Sequence, residues 1–196
     1  TFSVESGTPV IGILPGSRKE GYGNLRRCCD VIAACKNPSL QWVLARASSL
    51  TLHGIQRALE ETPWQYHHDS QQLFHSQIGC RITVTDDFKG LLNTADGVMG
   101  LAGTANEQAA YFNTPIFCFK GTGPQSSKKR FLEQSKLLGD RLYYCNESAP
   151  YAISDIFLHW VSSLSEQSKP SPKAPQDAAS AIIHAIFDML GPPLVG

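Results

Sequence analysis

Two short stretches hold residue types that could grip an anion. "ILPGSRKEGYGNL", residues 13–25, places Gly16, Ser17 and Arg18 where an apolar run ends and a helical pattern begins. "GLAGTANEQAA", residues 100–110, opens the same way with Gly103 and Thr104 and carries Glu107 one turn in. Free backbone N–H groups at a helix start attract negative charge, and glycine lets a ligand approach them closely. Arg18 adds a forked donor suited to phosphate. A carboxylate at Glu107 can accept two vicinal ribose hydroxyls while the turn's N–H groups hold a diphosphate, a combination suited to a nucleoside diphosphate. The same residues also spell helix caps. Thr104-Ala-Asn-Glu107 and Ser17-Arg-Lys-Glu20 both fit the capping box, in which glutamate reaches back to the N–H of the cap residue. From spacing alone, cap and anion site stay open for both turns. Neither stretch matches the dinucleotide GxGxxG or the phosphate loop GxxxxGK[ST], which disfavours a dehydrogenase or a P-loop enzyme.

A third stretch, "FKGTGPQSSKKRFLEQSKLLGD" at 119–140, holds a Gly-rich loop with Gln125 and then a helix that begins on Lys128, Lys129 and Arg130. Positive charge at a helix N-terminus opposes the helix dipole. These three are either solvated or face an anionic ligand or membrane surface. Gln125 in the loop and Gln134 in the helix are candidate polar contacts. The stretch "WQYHHDSQQLFH" at 64–75 offers His67, His68, Asp69 and His75. Adjacent histidines point apart on a strand or a helix, and no second ligand pair follows at zinc spacing. A solvated edge without a metal is the expectation.

The elements that must position these residues follow from periodicity. Val10–Leu14, Gln41–Ala45, Arg81–Thr85, Gly97–Met99, Ile116–Phe119 and Leu142–Cys145 read as buried strands. Helical patterns cover Asn24–Cys35, about Leu50–Glu61, Phe88–Asn93, Thr104–Phe112, Lys129–Leu138 and Tyr151–Leu164. The polar stretch from Thr62 to Gln77 reads as an edge or loop. Strands separated by helices imply parallel pairing through right-handed crossovers, hence a Rossmann-like, doubly wound α/β sheet over residues 1–164. "SEQSKPSPKAP" at 165–175 reads as a linker, and 176–196 as a last helix and tail.

The 196 residues suffice for one domain with a core, and 17 Lys plus Arg against 17 Asp plus Glu argue against nucleic-acid binding. No apolar run approaches the roughly 20 residues of a membrane span, no cleavable signal is visible at Thr1, and the abrupt start suggests a fragment. Cys28, Cys29, Cys35, Cys80, Cys118 and Cys145 include no CxxC and several lie in apolar stretches, as expected of buried reduced thiols in a cytoplasmic protein.

Taken in order, "ILPGSRKE", "ADGVMGLAGTANEQAAYFNTPI" and "GTGPQ…FLEQSKLLG" resemble the C-terminal domain of a GT-B glycosyltransferase. The nearest family is the lipid-A-disaccharide synthases, and more closely the lipid-A-disaccharide synthase-related proteins. The likeness spans Val10 to Cys145. It implies a hexosyltransferase of two facing Rossmann-like halves, the C-terminal half binding a UDP-sugar donor and the N-terminal half a lipid or glycan acceptor. The acceptor half and its catalytic base would lie outside this chain, which would then be inactive alone. The resemblance also implies no cofactor, and leaves open peripheral contact with the inner face of a membrane. It places Arg18, with Gly16 and Ser17, at the PGSR motif near the donor diphosphate, and Gly103 and Thr104 at the phosphate turn. The synthase pattern puts its glutamate at position 108, where this chain has Gln108, and a serine at 102, where it has Ala102. Glu107 stands where the related UDP-N-acetylglucosamine 2-epimerases hold the ribose. An epimerase-like enzyme and a non-catalytic nucleotide-sugar-binding module are the alternatives.

Overall fold

Five consecutive buried residues, Val10–Leu14, form β1 at the centre of the sheet, where both faces are covered and apolar residues run without alternation. The computed structural model describes residues 2–164, so the linker expected at 165–175 and the helix and tail expected at 176–196 lie outside the described residues. After β1 come α1 (Glu20–Cys35), β2 (Gln41–Ala45), α2 (Leu52–Leu59), β3 (Trp64–His67), β4 (Gln72–His75) and β5 (Arg81–Thr85). The chain continues through α3 (Phe88–Thr94), β6 (Gly97–Gly100), α4 (Gly103–Tyr111), β7 (Ile116–Phe119), α5 (Lys128–Leu138), β8 (Leu142–Cys145) and α6 (Pro150–Leu164). Short 3-10 turns at Pro124–Ser126 and Gly139–Arg141 flank α5.

The strand order is β3-β4-β5-β2-β1-β6-β7-β8. The six strands read from the sequence pair in parallel, as β5-β2-β1-β6-β7-β8. Connections run outward from β1 through β2 to β5, then return to β6 and run the other way. Right-handed crossovers on both sides of such a reversal make the doubly wound α/β fold.

The stretch from Thr62 to Gln77 is an edge, but an ordered one. β3 and β4 form an antiparallel hairpin that extends the sheet beside β5. His67 and His68 are exposed, whereas His75 is buried against Trp64 with the rings 5.0 Å apart and edge to face. The solvated-edge reading therefore fails at His75. The pleat turns alternate residues of β4 inward, and its register puts His75 opposite Trp64.

α1 buries Gly21, Leu25, Cys28, Cys29, Ile32 and Cys35 along one stripe. α6 packs on α1 and closes the core through Phe157, which stacks on Trp42 at 5.5 Å and meets Phe117 edge-on at 5.2 Å. Among the described residues, no helix is long and apolar enough to cross a membrane.

Candidate functional site

In an open α/β sheet the crevice at the carboxyl ends of the strands, where the order reverses, is the natural ligand site. Here that point lies between β1 and β6. Leu14 pairs with Gly100, and Leu101 N–H donates to Leu14 O at 2.9 Å, so both turns leave the sheet at one height. Between them lies a cleft of about 380 Å³ lined by Gly16, Ser17, Arg18, Gly103, Thr104 and Gln108, among others. Six residues picked from two distant stretches thus share one cavity.

Neither capping box forms. α4 begins at Gly103, its flanking residue is Ala102, and no side chain caps it. Thr104 is the second helical residue, too late to act as the cap that Glu107 would complete. The first N–H groups of α4 therefore stand at the cleft without a side-chain partner, the arrangement that binds anions. α1 begins only at Glu20, after Lys19, again without a side-chain cap. Ser17 lies in the loop ahead of it, where its carbonyl accepts from Ser49 Oγ. Gly16 takes φ +103°, a backbone open to glycine at little cost. Arg18 is exposed and makes no ion pair among the described residues.

Two contributors escaped the sequence reading. Asn24, buried on the apolar stripe of α1, forms part of the cleft floor together with Ser126. A polar residue at a stripe position is a signal that could have revealed it, because buried amides need partners. Arg46, at the carboxyl end of β2, lines the rim and pairs with Asp86 at 2.5 Å. Nothing in its local sequence set it apart.

Glu107 does not line the cleft. Its Oε1 lies 3.4 Å from Gln134 Nε2, which also donates to Gly103 O at 2.8 Å. Gln134 Oε1 in turn accepts from the buried Asn106 at 3.2 Å, so α4 and α5 are joined behind the Gly103 turn by a chain of amides. Gln125 belongs to the 3-10 turn Pro124–Ser126. Ser127 Oγ caps α5 by accepting from Arg130 N–H, and Arg130 pairs with Glu133 at 3.6 Å, which answers part of the charge clash at that helix start. Lys128 and Lys129 are exposed.

No activated thiol offers a nucleophile here. Burial raises Cys28, Cys29 and Cys118 well above the ordinary thiol range, and pushes Cys35 up to about 12. Among the described residues, no cluster of three ligating side chains could hold a metal ion. The arrangement sets the uncapped N–H groups of α4 and the Arg18 guanidinium around one cleft, groups of the kind that can bind an anion.

No family profile and no characterised protein matches the sequence. Among solved structures, the chain is similar to a proposed UDP-N-acetylglucosamine 2-epimerase from Listeria monocytogenes, with 14% identity over 94% of this chain and 46% of that one, at a TM-score of 0.42. It is also similar to the UDP-GlcNAc 2-epimerase from Neisseria meningitidis bound to UDP-GlcNAc, with 15% identity over 83% of this chain and 45% of that one, at a TM-score of 0.38. The chain spans less than half the length of either. Likeness this distant leaves the function to be read from the cleft itself.

Proposed function

We propose that the cleft binds the diphosphate of a nucleotide sugar, and that the chain is the donor-binding half of a GT-B glycosyltransferase that acts on a lipid or glycan acceptor. The observation that carries this reading is the uncapped start of α4 at the β1/β6 switch point, facing the Gly16-Ser17-Arg18 loop across one cavity. Backbone N–H groups would hold one phosphate and the Arg18 fork the other. Gln108 and Gln125 would add polar contacts, and Glu107 would take the ribose hydroxyls from the outer side of the phosphate turn. The choice of UDP rests on the three motifs. Transfer itself would also need an acceptor site and a base, which the resemblance assigns to the facing half.

One observation favours a second reading. The carboxylate stands at Glu107 and not at Gln108, as in the 2-epimerase pattern. Calorimetric titration of the chain with UDP, uridine and inorganic phosphate tests the binding claim. UDP should bind with a Kd on the order of micromolar or weaker and better than either fragment, since half a two-domain site leaves the ligand partly solvated. No preference for UDP over phosphate would sink it. Incubating the full-length protein with a UDP-sugar separates the enzymes, because an epimerase inverts the sugar without an acceptor and a transferase does not.

A further inference from the structure

Asn24 makes more hydrogen bonds across the molecule than its place on a helix requires. Its Nδ2 donates to Pro15 O at 2.9 Å and to Ser126 Oγ at 2.9 Å, and shares one of its two hydrogens with Leu101 O at 3.4 Å. Its Oδ1 accepts from Thr122 N–H at 2.7 Å and from Thr122 Oγ1 at 3.0 Å. Ser126 Oγ closes the ring by donating to Leu101 O at 2.9 Å. One buried amide thereby joins the loops that follow β1, β6 and β7.

We propose that Asn24 is the positioning residue of the cleft, locking those three loops so that the α4 N–H groups and Arg18 converge on one diphosphate. For its ligand this rests on the nucleotide reading above; for the lock itself it does not.

The partners are placed to do this. Pro15 immediately precedes Gly16, and Leu101 immediately precedes Ala102, the residue that leads into α4. Holding their carbonyls from a single side chain sets the distance between the two anion-binding turns. The network also dictates which way the amide points. With Oδ1 committed to the Thr122 donors, the NH2 must face the two carbonyls, and a carboxylate in its place would set oxygen against oxygen. Satisfied buried networks of this kind rigidify and specify one arrangement.

The third loop is fitted to α1 closely. A Cβ at Gly121 would run into Asn24 Oδ1 and lie 2.6 Å from Ser126 Cβ. The approach that Gly121 permits is what lets Thr122 reach the amide. A rigid floor lowers the ordering cost of binding, and small displacements of anion-binding groups carry large penalties.

The test combines UDP titration with amide hydrogen exchange on the ligand-free chain. The proteins are wild type, Asn24→Asp, Thr122→Val, Arg18→Ala and the Asn24→Asp/Arg18→Ala pair. Thr122 does not line the cleft, and valine keeps its shape and its backbone bond to Asn24. Valine removes the hydroxyl's bonds to Asn24 Oδ1 and to Glu20 O, so an effect that runs through the amide is marked by quickened exchange at Leu101, which the Glu20 bond does not touch. Asn24→Asp should weaken UDP by about tenfold or more and Thr122→Val by about threefold. Arg18→Ala should cost about tenfold to a hundredfold in the wild type but under about threefold beside Asn24→Asp, a non-additivity that a merely structural asparagine would not produce. Exchange at Leu101 and Gly121 should quicken in Asn24→Asp, while amides of β1 and β2 keep wild-type protection.

UDP binding unchanged in Asn24→Asp and Thr122→Val, or additive costs in the pair, would overturn the proposal while the nucleotide reading stands. If the wild type shows no preference for UDP over inorganic phosphate, the nucleotide reading fails, and exchange decides the lock. Selective quickening at the loops then upholds it and unchanged exchange refutes it. If Asn24→Asp does not fold, Thr122→Val decides: weakened UDP together with quickened exchange at Leu101 upholds the proposal, and weakened UDP with unchanged exchange there, or unchanged UDP, overturns it.

Discussion

Leu14 and Gly100 stand side by side as the last residues of β1 and β6, paired in parallel register at the point where the sheet changes direction. Because neither strand outruns the other, the loop that carries Arg18 and the start of α4 open into the same cavity. A shift of register along this one pair would separate them.

Arg18 is exposed and unpaired by any carboxylate among the described residues, so the fold does not depend on it. Arg18→Ala should leave the melting temperature nearly unchanged and cost about 1.5–3 kcal/mol of UDP binding, roughly tenfold to a hundredfold in Kd. Uridine should bind the variant and the wild type alike. Equal losses for UDP and uridine would make the arginine structural.

Glu107 has no cap to hold, and its Oε1 accepts from Gln134 at 3.4 Å. Glu107→Gln preserves an acceptor for that amide and removes the charge. Near-wild-type melting with a clear loss of UDP affinity is expected, and a smaller loss for analogues lacking ribose hydroxyls. A lowered melting temperature with intact UDP binding would make Glu107 an anchor for α5 and nothing more.

His75 is buried beside Trp64, and desolvation holds its imidazole below the ordinary histidine value. The unfolded chain therefore takes up its proton first as pH falls. Stability from this group is complete above the ordinary value of about 6.5 and declines as pH drops from there through the lower folded value. Urea unfolding at about pH 7.5 and about pH 5.5 should show a larger loss for the wild type than for His75→Gln. Parallel losses would show that His75 stays solvated.

Phe157 has no exposed surface and meets Trp42, Phe117 and Trp160. Phe157→Ala should destabilise the domain by about 3–5 kcal/mol in denaturant unfolding, the range for emptying a large aromatic site. It should also shift the fluorescence of Trp42 and Trp160. A loss below about 1 kcal/mol would mean that α6 is not part of the cooperative fold.

The six parallel strands were legible because strands covered on both faces show as unbroken apolar runs, of which Val10–Leu14 and Ile116–Phe119 are the plainest. The β3–β4 hairpin was not, since its polar positions obscure a pleat whose inward side holds Trp64, Leu73 and His75. At the site, the residues beside Gly16 and Gly103 announced themselves through turn chemistry. What could not be read was where each helix begins. A start at Gly103 in place of Thr104 moves the cap position from a threonine to Ala102, and that step separates a closed helix end from an open one. Asn24 and Arg46 were passed over because their meaning lies in partners elsewhere in the chain. Asp86 is 40 residues from Arg46, and Ser126 is 102 residues from Asn24.

That separation has a kinetic side. Leu101 is 77 residues beyond Asn24, so the amide can find its partners only after β6 has docked beside β1 and β7 beside β6. Contacts that close such long loops form late in folding, after the entropy of closure has been spent. Interactions not yet made in the transition state act on the rate of unfolding and leave the rate of folding nearly untouched. An occupied cleft would thus lengthen the lifetime of the folded chain without hastening its assembly, and the unfolding limb alone would register the ligand.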